Sequence, residues 1–510
     1  MRTSLHEALV RHLDWWGLRR FDNDASYFQW QRDSLSTADL RTLHRLIDLK
    51  RSSSGNAAAE VAFYDQAAAP NIFPVLHSQQ YEYYLTVGPE VAERIGSART
   101  ALDFGCGIGL LTTYYARQYP ETMFVGMDRS PASIRVAQDC ARRLNLANVR
   151  FEVGDVECAP LTGPFDLIIA THALLQAEQN PGLPSRNWQT LERSQDLAAQ
   201  AAFEQRTGLG VRMDRLGAAL SPQGRAIVFE KTRQLARRVP FQRALATRGF
   251  TLLENPIPLG YSLVGEATED GPLYVLGRTS PRHVLGRMTV WNEEPEEAEI
   301  NDLYRCRDGV AGAVCGRLPA RIPTWAGQWD DPELGHVQVE CGRCAALLEY
   351  LYVTINGQAR GLLVRLWHEG APLEGSFRRA AESVRRQGAS LTPLIEETWR
   401  RTGSVDSADH APIYENHTIA AMAVWTALQD RTVLRQNTFA RAAGEEAHIE
   451  LGIVPTLAYL YFSNTFDQRQ IVLMERTRLE VLEQYFSELL AGFTDTTSGL
   501  NTPPGSSGQG

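Results

Sequence analysis

At 510 residues the chain is too long for one ordinary core and predicts about three domains. Its 44% apolar content and ten tryptophans exclude a disordered chain, and no run nears the ~20 uninterrupted apolar residues of a membrane span. A net charge of −9 argues against an extended nucleic-acid surface, and seven cysteines without framework spacing point to reduced thiols in the cytoplasm.

The N-terminus is charged throughout and lacks the apolar core of a secretory signal. Residues 1–60 read as a helical cap, since Leu5, Leu9, Leu13 and Trp16 recur at near-helical spacing until Arg51-Ser-Ser-Ser-Gly-Asn breaks the pattern. An aromatic helix, Gln79–Leu85, follows a proline-containing turn. Tyr64, Tyr81 and Tyr84 are the candidates there for lining a substrate pocket, against the plainer reading of aromatic packing.

Residues 101–109, Ala-Leu-Asp-Phe-Gly-Cys-Gly-Ile-Gly, predict a strand that ends at Asp103 and turns through Gly105, Gly107 and Gly109 into a helix. Glycines there let a ligand lie against the backbone at the helix N-terminus. Two further strands end in Asp128 and Asp155, so three carboxylates reach the carboxyl edge of one parallel sheet, where ligands of such sheets bind. Asp128 suits a ribose diol, Asp155 an exocyclic adenine amine and Asp103 an ammonium. The dinucleotide fingerprint Gly-x-Gly-x-x-Gly/Ala fails in both frames, because Leu110 or Thr112 takes the third glycine position. A ligand with ribose, adenine and an amino-acid end fits better, and that ligand is S-adenosylmethionine.

On these residues the chain resembles the class I S-adenosylmethionine-dependent methyltransferases. Leu102-Asp-Phe-Gly-Cys-Gly-Ile-Gly109 is similar to their first motif, Val125-Gly-Met-Asp128 to their second and Gly154-Asp155-Val156 to their third. The resemblance spans residues 61–285 and implies an α/β fold with a seven-stranded Rossmann-like sheet. It implies S-adenosylmethionine as cofactor, held by Asp103, Phe104, Gly105, Cys106, Gly107, Gly109, Asp128, Arg129, Asp155, Val156 and Thr171.

The fourth strand ends in Ala170-Thr171-His172, where acceptors meet the methyl group in the resembled family. His172 is a candidate base because imidazole titrates near neutral pH; a purely positional role competes with that reading. The fifth strand closes on Glu230-Lys231. Of 51 basic residues only Lys50 and Lys231 are lysine, so Lys231 joins His172 and Glu230 as a catalytic candidate, against a solvated strand end. The long interval between these strands contains Gln179-Asn-Pro-Gly-Leu-Pro-Ser and suggests a lid. Phe250–Leu253 and Pro272–Gly277 read as an antiparallel end hairpin.

The C-terminal half carries an internal repeat offset by about 110 residues. Leu303-Tyr304 recurs as Ile413-Tyr414, Glu340-Cys-Gly342 as Glu450-Leu-Gly452, and Tyr350-Leu-Tyr352 as Tyr459-Leu-Tyr461. It predicts a duplicated α+β region with modules at 286–400 and 401–493 and a disordered tail at 494–510. Cys341-Gly-Arg-Cys344 invites a zinc site, but the second copy places Leu451 and Val454 there, so no metal is expected. The expected function is methyl transfer to a small-molecule O or N acceptor in bacterial specialised metabolism. The sequence leaves open a protein or carrier-bound acceptor docked by the repeats, and a scaffold without catalysis. Neither a membrane nor nucleic acid is expected as a partner, and the repeats offer a surface for a homodimer.

Overall fold

The computed structural model describes residues 2–52, 57–175, 182–264, 266–278, 304–345, 347–367, 372–399, 412–417, 420–442 and 445–498. Contacts divide the chain into two units, Met1–Leu183 with Arg193–Glu293, and Pro184–Glu192 with Glu294–Gly510. No helix among the described residues is long and apolar enough to cross a membrane.

The first unit opens on helices α1 (Arg2–Trp15), α2 (Asp24–Ser34), α3 (Thr37–Ser52), α4 (Ala57–Ala67), α5 (Phe73–Ser78) and α6 (Tyr81–Glu93). An alternating series follows: β1 (Thr100–Phe104), α7 (Leu110–Gln118), β2 (Met123–Asp128), α8 (Pro131–Arg143), β3 (Val149–Val153) and β4 (Phe165–Thr171). After the crossover helices α9 (Leu197–Thr207) and α10 (Leu209–Ala219) come β5 (Leu220–Phe229) and α11 (Leu235–Thr247). Strands β6 (Phe250–Leu252), β7 (Ile257–Leu263) and β8 (Glu266–Arg278) complete the unit. The sheet order is β3-β2-β1-β4-β5-β8-β6, with β1 to β5 parallel and β8 antiparallel to its neighbours.

The expectation of seven strands is corrected to eight. Strand β8 runs 13 residues, longer than its pairing with β5 and β6 requires, and its first half forms a hairpin with β7. Pro258 and Gly260 interrupt the β7 pattern, which hid this strand from a periodicity reading.

Strand parity decides which residues face the site. Ala101, Leu167, Ile169 and Ile227 pack with α1, α6 and α7 in one core. Leu102, Phe104, Ile168, Ala170 and Val228 face the other way, against α9, α10 and α11. Asp103, Thr171 and Phe229 therefore share the face that carries α6.

The second unit contains two five-stranded sheets. One follows β9 (Tyr304–Arg307) and α12 (Asp308–Arg317) with β10 (Ile322–Asp331), β11 (Gly335–Cys344), β12 (Leu348–Ile355) and β13 (Gln358–Leu366), then α13 (Leu373–Arg386) and α14 (Thr392–Trp399). The other follows β14 (Tyr414–Asn416) and α15 (Ala420–Leu428) with β15 (Leu434–Ala442), β16 (Glu445–Ile453), β17 (Leu457–Asn464) and β18 (Arg469–Glu475), then α16 (Leu479–Ser498). Their orders, β10-β11-β12-β13-β9 and β15-β16-β17-β18-β14, are the same arrangement.

The repeated residues perform one task in both sheets. Tyr350 donates its hydroxyl to Glu340 at 2.6 Å, and Tyr459 donates to Glu450 at 2.5 Å. Each ring lies against the repeat's glycine: a Cβ at Gly342 would sit 2.6 Å from the Tyr350 hydroxyl, and one at Gly452 would sit 2.2 Å from the Tyr459 ring. Cys341 and Cys344 are three apart in β11, so they point to opposite faces and lie in different cores. Helix α16 continues to Ser498, past the boundary expected at 493; residues 499–510 lie outside the described ones.

Segment Pro184–Glu192 belongs to this second unit. Trp188 stacks on His448 with ring centroids 4.0 Å apart, while Ser463 donates its hydroxyl to the Trp188 carbonyl at 2.8 Å. Ser185 adds a backbone bond to Thr465 at 2.7 Å. The neighbouring residues 176–181, which carry part of the expected lid, are outside the described ones.

Candidate active site

Asp103 ends β1 with only 4% of its surface exposed and accepts the Thr112 hydroxyl at 2.5 Å. Burial pushes its carboxyl up to about 7; the Thr112 bond opposes this and the nearby Asp128 charge adds to it. The chain then leaves the strand through three left-handed glycines, Gly105, Gly107 and Gly109, with φ of +75°, +55° and +77°. The Gly105 and Cys106 amides donate to the Met127 carbonyl, which ties the loop to the end of β2.

The three glycines differ in what surrounds them. A Cβ at Gly105 would meet Ala173 at 2.5 Å, and one at Gly109 would meet Ala137 at 2.7 Å and Phe151 at 2.8 Å. A Cβ at Gly107 would meet nothing within 4 Å, so the loop is packed at both ends and open in the middle. Gly109 also leaves the N-terminus of α7 without a side-chain cap, and its first amides can receive an anion.

Asp128 accepts the Gly107 amide at 2.9 Å on one oxygen and the Ser130 amide at 2.8 Å on the other. Each oxygen keeps a second lone pair, which two adjacent hydroxyls can use. Burial raises this carboxyl, against its two amide bonds. Asp155 accepts Arg129 at 3.0 Å and the Glu157 amide at 2.9 Å through one oxygen. Arg129 also pairs with Glu157 at 2.5 Å and Glu60 at 3.7 Å, so its guanidinium is committed to carboxylates. Phe104 and Val156 are buried in the core on the far face. Cys106 holds its thiol against its neighbour's carbonyl at 3.6 Å, and burial raises it well above the usual thiol range.

The acceptor side centres on His172. Its ring packs against Tyr83 and Phe229, each 5.1 Å away between centroids at 26° and 30°, and those two rings are themselves 6.2 Å apart. Nε2 lies 3.0 Å from Asp270 Oδ2, in an ion-pair contact rather than a linear hydrogen bond. Among the described residues Nδ1 has no protein partner. Tyr261 donates its hydroxyl to the same Asp270 oxygen. Burial alone would raise the Asp270 carboxyl, but His172, Tyr261 and the Lys231 charge outweigh it and hold it below the ordinary range. Thr171 lies beside Tyr83, whose phenol is raised well above its usual value by burial, partly offset by that hydroxyl contact.

Glu230 is 1% exposed, and its carboxylate accepts the amides of Ala173, Leu174 and Leu175 at 2.7, 2.6 and 3.4 Å. Lys231 is half-buried. Among the tyrosines singled out earlier, Tyr64 is 40% exposed, and Tyr81 packs near Asp14 and Arg20. Tyr84 hydrogen-bonds His77 at 2.5 Å and Gln80 at 3.1 Å, whereas its neighbour Tyr83 reaches His172.

Sequence reasoning missed Tyr83, Phe229, Tyr261, Asp270 and Asp65. Asp65, from α4, accepts the Ser130 hydroxyl at 2.6 Å and the Ala132 amide at 3.0 Å beside Asp128. It sits in the Val-Ala-Phe-Tyr-Asp stretch before the first strand, but no spacing marks it as a partner of a loop 65 positions away. Asp270 carries no motif; the bulged β7–β8 pairing brings it beside Tyr261.

Residues 95–206 match the family model described as a methyltransferase domain. The trans-aconitate 2-methyltransferase of Deinococcus radiodurans is 35% identical over 99 residues, covering 19% of this chain and 36% of that enzyme. The malonyl-[acyl-carrier protein] O-methyltransferase of Acetivibrio thermocellus is 30% identical over 102 residues, covering 18% and 35%. Among solved structures, the mitomycin 7-O-methyltransferase MmcR is 16% identical, with a TM-score of 0.31, covering 47% of this chain and 67% of that one. The chain spans about a third of the length of the curated relatives it matches.

Proposed function

We propose that the chain is a class I enzyme that transfers a methyl group from S-adenosylmethionine to a hydroxyl of a small molecule, in bacterial specialised metabolism and in the cytoplasm, a reading supported by the methyltransferase-domain model that residues 95–206 match. The open glycine at 107 and the free lone pairs of Asp128 support the cofactor assignment. On this reading Asp128 holds the ribose diol, Asp155 the adenine amine and Asp103 the ammonium. When bound, S-adenosylmethionine supplies a methyl group activated by its sulfonium.

The observation that carries the acceptor class is the His172–Asp270 contact. A carboxylate acceptor is already ionised at neutral pH and needs no base, whereas a hydroxyl must lose a proton as it attacks. His172 Nδ1 takes that proton. Asp270 stabilises the resulting imidazolium through Nε2, and the Tyr261 phenol keeps the Asp270 oxygen in place. Tyr83 and Phe229, themselves in contact, pack against the imidazole and shield that side of it from water. The remaining requirement is in-line alignment of acceptor oxygen and methyl, which a fixed base and a fixed glycine loop serve.

The matching sheet orders and the shared Tyr–Glu–Gly arrangement support reading the C-terminal part as two copies of one module, at 286–400 and 401–493, after a cap at 1–60 and a catalytic domain at 61–285. Pairing of two chains through those modules belongs to the same proposal, and sedimentation velocity tests it.

Calorimetric titration with S-adenosylhomocysteine tests the cofactor. A radiolabelled-methyl assay against matched phenols, alcohols and carboxylic acids tests the acceptor. Binding of the product analogue with transfer to hydroxyls is the expected result; transfer to carboxylic acids alone overturns the hydroxyl assignment.

A further inference from the structure

We propose that Glu230 is a positioning residue rather than an acid or base: together with Arg212 it clamps the loop that follows His172 and so sets the contact between His172 and Asp270. The proposal rests on the methyltransferase reading of that site. Three consecutive amides, Ala173 to Leu175, converge on the Glu230 carboxylate, a backbone nest filled by an internal anion. On the opposite side of the loop, Arg212 donates to the carbonyls of Ala173 at 3.2 Å and Leu174 at 2.9 Å. Arg212 is 4% exposed and Glu230 1%, so neither charge is screened by bulk water.

The clamped segment begins at a residue that needs holding. His172 has a φ of +54°, a left-handed conformation that costs a branched or ring-bearing residue on the order of 1–3 kcal/mol unless its surroundings impose it. Its own amide donates to the Phe229 carbonyl at 2.8 Å, and Glu230 takes the next three. The turn after Glu230 runs beside the other partner: the Glu230 carbonyl accepts the Thr232 amide, and a Cβ at Gly271, next to Asp270, would lie 2.9 Å from that carbonyl. The Arg233 amide then donates to the Asp270 carbonyl at 2.7 Å. The Glu230 side chain thus holds the three residues that follow His172, while the turn after Glu230 reaches Asp270 through the Arg233 amide.

The clamp also reaches the cofactor side. Arg212 pairs with Glu157 at 2.7 Å, Glu157 with Arg129, and Arg129 with Asp155. Ala173 in turn packs where Gly105 lacks a side chain.

The test follows the pH dependence of His172 carbethoxylation by diethyl pyrocarbonate, read by peptide mass spectrometry on the full chain. The titratable or charged groups around His172 are Tyr83 from α6, Tyr261 and Asp270 from the β7–β8 hairpin, and Glu230 and Lys231 at the end of β5. Glu230→Gln keeps the shape but presents one acceptor oxygen to three amides. It should move the His172 midpoint by about half a pH unit or more, in the same direction as Asp270→Asn. Arg212→Lys retains charge but cannot serve Glu157 and both loop carbonyls at once, as Nε and Nη2 on one side and Nη1 on the other do here, and should move it part of the way. Because Glu230→Gln also removes a charge that faces His172, the charge-conserving variant decides: an unchanged midpoint in Arg212→Lys, with Asp270→Asn shifted, overturns the clamp. If Glu230→Gln fails to fold by circular dichroism, the Arg212→Lys midpoint decides alone. S-adenosylhomocysteine titration of the wild type separates the two claims: absent binding overturns the methyltransferase reading, while the midpoints still judge the clamp.

Discussion

His172 and Asp270 meet at 3.0 Å although one ends a parallel strand and the other sits in an antiparallel hairpin across β5. Asp270→Asn keeps the size of the side chain and removes its charge. Transfer to a hydroxyl acceptor should fall about 10²–10⁴-fold, the range typical of lost general-base assistance, with S-adenosylhomocysteine affinity unchanged. Paired kinetic and calorimetric measurements check this; equal losses in both would place Asp270 in cofactor binding instead.

If Asp103 faces the cofactor ammonium as proposed, cofactor affinity should depend on pH. Its carboxyl stands at about 7 in the folded protein against 3.8 unperturbed. The stability contributed by the protonated form is therefore fully present below about 4 and is lost as pH rises through about 7. A bound ammonium favours the ionised form, so S-adenosylhomocysteine should bind more tightly as pH rises from about 6 to 8, with proton release. Calorimetry in buffers of different ionisation enthalpy reads the proton count, and Asp103→Asn should abolish both effects.

The glycine loop separates packing from ligand access. Gly107→Ala meets no neighbour and should cost only the left-handed backbone penalty of about 1–2 kcal/mol, while obstructing the open middle of the loop and weakening S-adenosylhomocysteine binding at least about tenfold. Gly109→Ala drives a Cβ to 2.7 Å from Ala137 and should lower thermal stability more than Gly107→Ala does. A reversed order in differential scanning fluorimetry would refute this assignment.

Trp188 is 7% exposed in the second unit and packs against both His448 and Trp425. Trp188→Ala should cost that unit about 3–5 kcal/mol, the usual range for deleting a large buried aromatic. Urea unfolding followed by limited proteolysis would localise the loss to residues 304–498; a loss confined to the first unit would contradict it.

The glycine loop and the strand-end carboxylates beside it were legible in the chain itself. A glycine loop needs positive φ at fixed places, and carboxylates ending successive strands must arrive at one sheet edge, so Asp103, Asp128 and Asp155 follow from local rules. The shared Tyr–Glu–Gly arrangement was legible too, because Glu340 with Gly342 and Glu450 with Gly452 keep a spacing that a tyrosine ring and one hydrogen bond require. The acceptor side was not. Tyr83 rather than Tyr84 meets His172 because of how α6 rotates against the sheet, and Asp270 arrives through a bulged hairpin whose β7 strand Pro258 and Gly260 disguise. Glu230 was visible as a charge at a strand end, but its role depends on three amides more than 50 positions away. Local backbone chemistry is written in neighbouring residues. The partners of His172 are chosen by long-range packing, which no spacing along the chain encodes.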